Sequence, residues 1–136
     1  YSGPIRTNHT SYLNAWSYAG NQIWHLLDFP RHSDRVAWLA SGDANLSNSR
    51  RRSAFLTHYQ SLRQMVFMFA LPHHGSRNNF HPELLDVAEC FVVSVGSKNK
   101  YRHPHTEVIS YLKPGKLLRA TENPSSAIFE RAILEQ

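Results

Sequence analysis

The run Met65–Leu71 passes without a spacer into Pro72-His73-His74-Gly75-Ser76. An unbroken apolar run of this length predicts a buried strand. A strand that ends on two imidazoles holds them rigidly beside whatever space lies past its end. Imidazole is the commonest metal ligand among side chains because its neutral form offers a lone pair near pH 7. The glycine that follows lets the backbone turn away sharply and approach a ligand closely. Two surface loop histidines are the plain alternative.

The same hand-over from apolar run to polar turn recurs on either side. Val36–Ala40 leads into Ser41-Gly42-Asp43-Ala44, and Cys90–Val95 closes on Gly96 before the polar, basic loop Ser97–His103. Helical signals lie between these runs. Over Asn45–Gln64, Ser47 or Asn48 supplies a start, and Phe55, Leu56, Tyr59 and Leu62 recur at helical spacing. Arg50, Arg51 and Arg52 fall in its first turns, where positive charge opposes the helix dipole, so they form either a solvated face or an anion-binding patch. His81-Pro82-Glu83 begins a short helix, and Pro104 begins another through Val108, Ile109, Tyr111 and Leu112, which Pro114-Gly115 stops. Upstream, residues 1–9 read as loop. Ser11–Tyr18 and Gln22–Phe29 form a strand pair around Ala19-Gly20-Asn21, and Pro30–Asp34 is a break. Downstream, Leu117–Thr121 and Ala127–Leu134 are closing strands, the second open to a helical reading. Strands alternating with helices place the chain in the α/β class. Its length of 136 residues suits a single domain, 1–136. In open α/β sheets, ligands bind at the carboxyl ends of the strands, where these polar turns gather.

With 41% apolar residues the chain has enough to build a core, which excludes a disordered class. The single cysteine, Cys90, excludes an internal disulfide and a cysteine-based zinc site. No apolar run approaches the roughly 20 residues that span a bilayer, so no membrane segment is expected in this chain. Lysine and arginine number 15 against 10 acidic residues, a formal charge of +5 that favours anionic partners, nucleic acid among them. Trp16, Trp24 and Trp38 fall on strand runs and read as core.

Asp43 after one strand, His73 and His74 after the next, and Asn99–His105 after a third would supply mixed oxygen and nitrogen ligands at one edge. That set suits Zn2+ or Mn2+. A carboxylate such as Asp43 can also bridge two ions, which clamp the attacking and leaving oxygens of a phosphoester. The plain reading of Asp43 is a turn residue.

Taken together, Ser41-Gly42-Asp43-Ala44, Leu71-Pro72-His73-His74-Gly75-Ser76, and Ser94-Val95-Gly96 through Asn99 and Tyr101 to His103-Pro104 resemble the metallo-β-lactamase fold superfamily. More narrowly they resemble the C-terminal hydrolase domain of competence-type DNA-internalisation proteins. In that group a (T/S)GD loop, a PHHGS loop and an S-x-G-x-x-N-x-Y-x-HP loop follow in this order. The polar stretch Asn8 to Leu13 also resembles the entry to the strand pair before the first loop. The resemblance covers about residues 8–130. It implies the second half of a four-layer αββα sandwich. It implies catalytic roles for Asp43 and His74, metal ligation by Asp43 and by His73 or His74, and two ions in the complete domain. His74, next to the glycine, is the favoured ligand of the pair. By the same resemblance Ser76, Asn99, Tyr101 and His103 contact substrate.

The family's main cluster, an H-x-H-x-D-H signature, belongs to the first half of the fold and has no match here. His9 and His25 are isolated, and His32 with Asp34 gives only H-x-D. The chain is therefore expected to be either a fragment that partners a missing N-terminal half-domain, which its opening on Tyr1 favours, or a member that has lost the cluster. The first expectation makes the parent a metal-dependent phosphodiesterase or nuclease-like hydrolase acting on DNA or another anionic ester, inactive as this chain alone. The resemblance leaves its location as cytoplasmic or the soluble domain of a bacterial membrane protein. The second makes it a non-catalytic nucleic-acid-binding or protein-interaction module.

Overall fold

The computed structural model describes residues 10–19, 22–25, 35, 37–126 and 128–133. Four of the short apolar runs become strands of one sheet: β3 (Ala37–Ala40), β4 (Val66–Ala70), β5 (Cys90–Ser94) and β6 (Leu117–Ala120), in the order β3-β4-β5-β6. Every pairing in it is parallel. The mixed helices and parallel sheet agree with the α/β class. Three further strands, β1 (Thr10–Ala19), β2 (Gln22–His25) and β7 (Ile128–Ile133), form an antiparallel sheet ordered β2-β1-β7. The expected hairpin is present with Ala19 opposite Gln22. The question left open over 127–134 is answered by a strand. Residues 1–9, residues 20–21 where a turn is expected, the stretch 26–34 with His32 and Asp34, and Val36, Ala127 and residues 134–136 lie outside the described residues.

Parallel strands in sequential order require crossovers, and crossovers of one hand return to the same face of a sheet. One face accordingly carries Leu39, Phe69, Leu71, Phe91 and Val93 against Leu84, Val87 and Val108, with Phe55 and Leu56 of helix α1 (Ser49–His58) and Tyr59 at its C-terminal cap packed on them. Phe69, Leu84 and Val108 are essentially without exposure, and such burial contributes roughly 1.5–3 kcal/mol per large side chain. The opposite face carries Phe67, Met68, Cys90 and Val92, with Leu118 beside them. Adjacent Phe67 and Met68 belong to one cluster, and the alternation breaks where the β3–β4 register shifts, Ala37 lying opposite Val66 and Trp38 opposite Met68. Among the described residues no helix is long and apolar enough to cross a membrane.

Helix α1 is shorter than the spacing over 45–64 predicts. It starts after Asn48, whose Oδ1 accepts the Arg51 N–H at 3.1 Å, and gives way after His58 to turns and a 3-10 segment, Arg63–Met65. The arginine run divides. Arg50 and Arg51 are exposed, whereas Arg52 is buried. Its Nε donates to Glu83 Oε2 at 2.9 Å, and its Nη1 donates to the carbonyls of Leu46 and Ser47 at 3.2 and 2.9 Å. Arg52 thus belongs to neither a solvated face nor an anion patch. It ties the chain before α1 to the 3-10 segment Pro82–Asp86. A second short helix, α2 (Thr106–Tyr111), precedes β6.

Candidate functional site

Because β3, β4 and β5 are parallel, the turns that follow them leave the same edge of the sheet. Backbone hydrogen bonds sew those turns together. His73 N–H donates to the Gly42 carbonyl at 2.9 Å, joining the turn after β4 to the turn after β3. His105 N–H donates to the Gly75 carbonyl at 3.1 Å, joining the loop after β5 to the turn after β4. Asn79 completes the seam, its Nδ2 donating to the carbonyls of Asp43 and Ala44 at 3.2 and 3.3 Å.

The Pro72–Gly75 turn has an unusual backbone. His73 (φ 44, ψ 55), His74 (φ 56, ψ 25) and Gly75 (φ 79) are three consecutive residues in the left-handed region. For a side-chain-bearing residue that conformation costs roughly 1–2 kcal/mol each, and such strain concentrates at functional sites. Gly75 is required twice over. Its φ is positive, and a Cβ there would stand 2.6 Å from Pro104 Cβ. Pro104 therefore seats on the glycine; the peptide bond before it, His103–Pro104, is cis.

The turn presents its imidazoles around a cavity of about 420 Å³. His74 Nδ1 lies 2.6 Å from the Ser94 carbonyl oxygen. A carbonyl only accepts, so Nδ1 carries the proton and Nε2 keeps its lone pair, the arrangement that orients metal-ligating histidines. His73 Nδ1 lies 3.8 Å from Asp43 Oδ1. The rings of His73 and His74 are 5.9 Å apart, and His103 stands 5.5 Å from His73 and 6.5 Å from His74. Burial, then the imidazoles of His105, His73 and His74, hold His103 below the ordinary histidine range. Its Nδ1 is enclosed without a hydrogen-bond partner, as is Ser41 Oγ at the end of β3.

The expected residues fall into three groups. His73, His74, Asn99, Tyr101 and His103 line the cavity, with Lys98 and Lys100 among them. Asn99 also shapes the loop: its Nδ2 donates to the His103 carbonyl at 2.5 Å and its Oδ1 accepts the Tyr101 N–H at 3.1 Å. Asp43 is exposed, meets His73 and does not line the cavity. Ser76, expected against substrate, is instead buried outside the cavity lining, where its Oγ accepts the Asn78 N–H at 3.3 Å. Among the described residues no group of three or more His, Cys, Asp or Glu side chains is placed to hold a metal ion.

Several contributors carry no sequence signal. The Glu122 carboxylate, just past β6, accepts the Ser97 N–H at 2.9 and 3.1 Å and also the Ser97 hydroxyl, pinning the start of the basic loop. His105 accepts the Arg77 N–H at Nδ1, and Arg77 donates to Glu107 at 2.6 Å. Arg77 is therefore paired with a carboxylate at the rim.

Comparison of the chain with protein-family models, with characterised proteins and with solved structures finds no match.

Proposed function

We propose that the chain is the second half of a metallo-β-lactamase-like αββα sandwich and contributes to a metal-dependent phosphoester hydrolase acting on nucleic acid. One observation carries this reading: the seam of hydrogen bonds that gathers the Ser41–Ala44, Pro72–Ser76 and Ser97–His105 turns beside one cavity, with His74 held so that Nε2 is the available nitrogen. Asp43, His73 and His74 are hard and borderline donors of the kind that suit Zn2+ or Mn2+. With Asp43 and one of the two histidines on the ion, the set fits in kind and falls short in number, since catalytic zinc takes three protein ligands. In this reading further ligands come from outside the described residues. An ion held there would supply Lewis-acid polarisation of a phosphoryl oxygen and a more acidic water. The chain's own residues do the rest. Ser94 orients His74 through its carbonyl, Asp43 faces His73, and Lys98 and Lys100 draw a phosphate toward the imidazoles.

Calorimetric titration of the chain with Zn2+ and with Mn2+ tests this. The wild type binds a divalent ion weakly, and Asp43→Ala and His74→Ala each weaken it by about tenfold or more. Binding unchanged in both variants sinks the reading.

Lys98 and Lys100 on the cavity wall suit a second reading as well, a non-catalytic nucleic-acid-binding module. Its polynucleotide binding would fall with salt and ignore chelator.

A further inference from the structure

Tyr101 lines the cavity yet is 64% exposed, among the most open of the large apolar side chains. Its ring stands 6.0 Å from His103, and its backbone is fixed by Asn99. Lys100 Nζ lies 4.9 Å from the ring centroid, and Lys98 shares the same cavity wall. A largely exposed ring with an ammonium over one face, a second lysine on the same cavity wall and an imidazole nearby has the make-up of a stacking platform for a base whose phosphates run along the lysines. The cavity, about 420 Å³, is of the size that takes a nucleotide-sized group.

We propose that Tyr101 stacks an unpaired base and makes the site selective for single-stranded over double-stranded nucleic acid. The inference rests on the nucleic-acid reading above. In a duplex each base is stacked between neighbours, and it reaches a ring inside a cavity only by leaving that stack. A single strand incurs little of that cost. Every base has a π-face, so the platform is indifferent to sequence, while the lysines make binding fall with salt.

Fluorescence anisotropy tests this on the full 136-residue chain. The probes are a labelled oligothymidine, the same strand with abasic positions, and a duplex of equal length. Wild type binds the oligothymidine about tenfold or more tighter than the duplex. Tyr101→Ala removes that preference and leaves abasic and duplex binding unchanged, and Tyr101→Phe retains it. Equal wild-type affinity for strand and duplex, or a Tyr101→Ala loss that is the same with and without bases, overturns the stacking role while the polyanion reading stands. Absence of binding to all three probes overturns both.

Discussion

His74 Nδ1 donates to the carbonyl oxygen of Ser94 across 2.6 Å, from the turn after β4 to the end of β5. The bond determines the tautomer, and it places the remaining lone pair of the ring on Nε2. Nitrogen-15-correlated NMR at pH 8 should report His74 as the Nδ1–H tautomer. A dominant Nε2–H form would mean that the ring is not oriented by Ser94, and the ligand role assigned to His74 would lose its basis.

Gly75 separates two costs that a glycine can hide. Gly75→Ala adds a Cβ 2.6 Å from Pro104 Cβ at a φ of 79°, so strain and collision combine. We expect urea denaturation to show a loss of about 2–4 kcal/mol. Gly42→Ala, at φ 54° with nothing within 4 Å of the new Cβ, carries only the backbone cost of about 1 kcal/mol. Equal losses in the two variants would show that Pro104 can move aside, and that the contact does not position the loop.

Glu122 gives a pH dependence with a definite sign. The hydrogen bonds from Ser97 hold its carboxyl below the ordinary range. A carboxylate depressed in the folded state contributes stability above its unfolded pKa, about 4.3, and that contribution is lost as pH falls through the folded value. Glu83, lowered chiefly by Arg52, and Glu107, lowered by its own backbone N–H and by Arg77, act in the same direction. The comparison is therefore between wild type and Glu122→Gln. Their urea midpoints should differ at pH 6 and converge toward pH 3. A gap that stays constant across that range would show that the charge on Glu122 does not hold the Ser97 loop.

Hydrophobic runs and their spacing are local properties of a chain, and they determined most of the element order here. Met65–Leu71 and Cys90–Val95 read as buried strands and contain β4 and β5; the signals at Asn48 and Pro82 lie where helical segments begin, whereas the helix expected from Pro104 starts at Thr106 after His105. The polar turns that bear Asp43, His73, His74 and Asn99 were visible for the same reason, since each interrupts an apolar run. What a side chain does after the strands align is a different kind of fact. The periodicity that marked an arginine-rich helix start said nothing of Arg52 reaching Glu83, 31 residues away, or of Ser76 turning inward. Glu122 sits in no motif and still holds Ser97 across 25 residues of chain. The Ser97–Glu122 partnership exists because parallel pairing brings the ends of β5 and β6 to a common edge. The left-handed turn at His73 and His74 likewise persists only because Gly42, Ser94 and His105 bond to it from neighbouring loops. Composition and period reveal which segments are strands; sheet register, a long-range property, decides which of their ends meet.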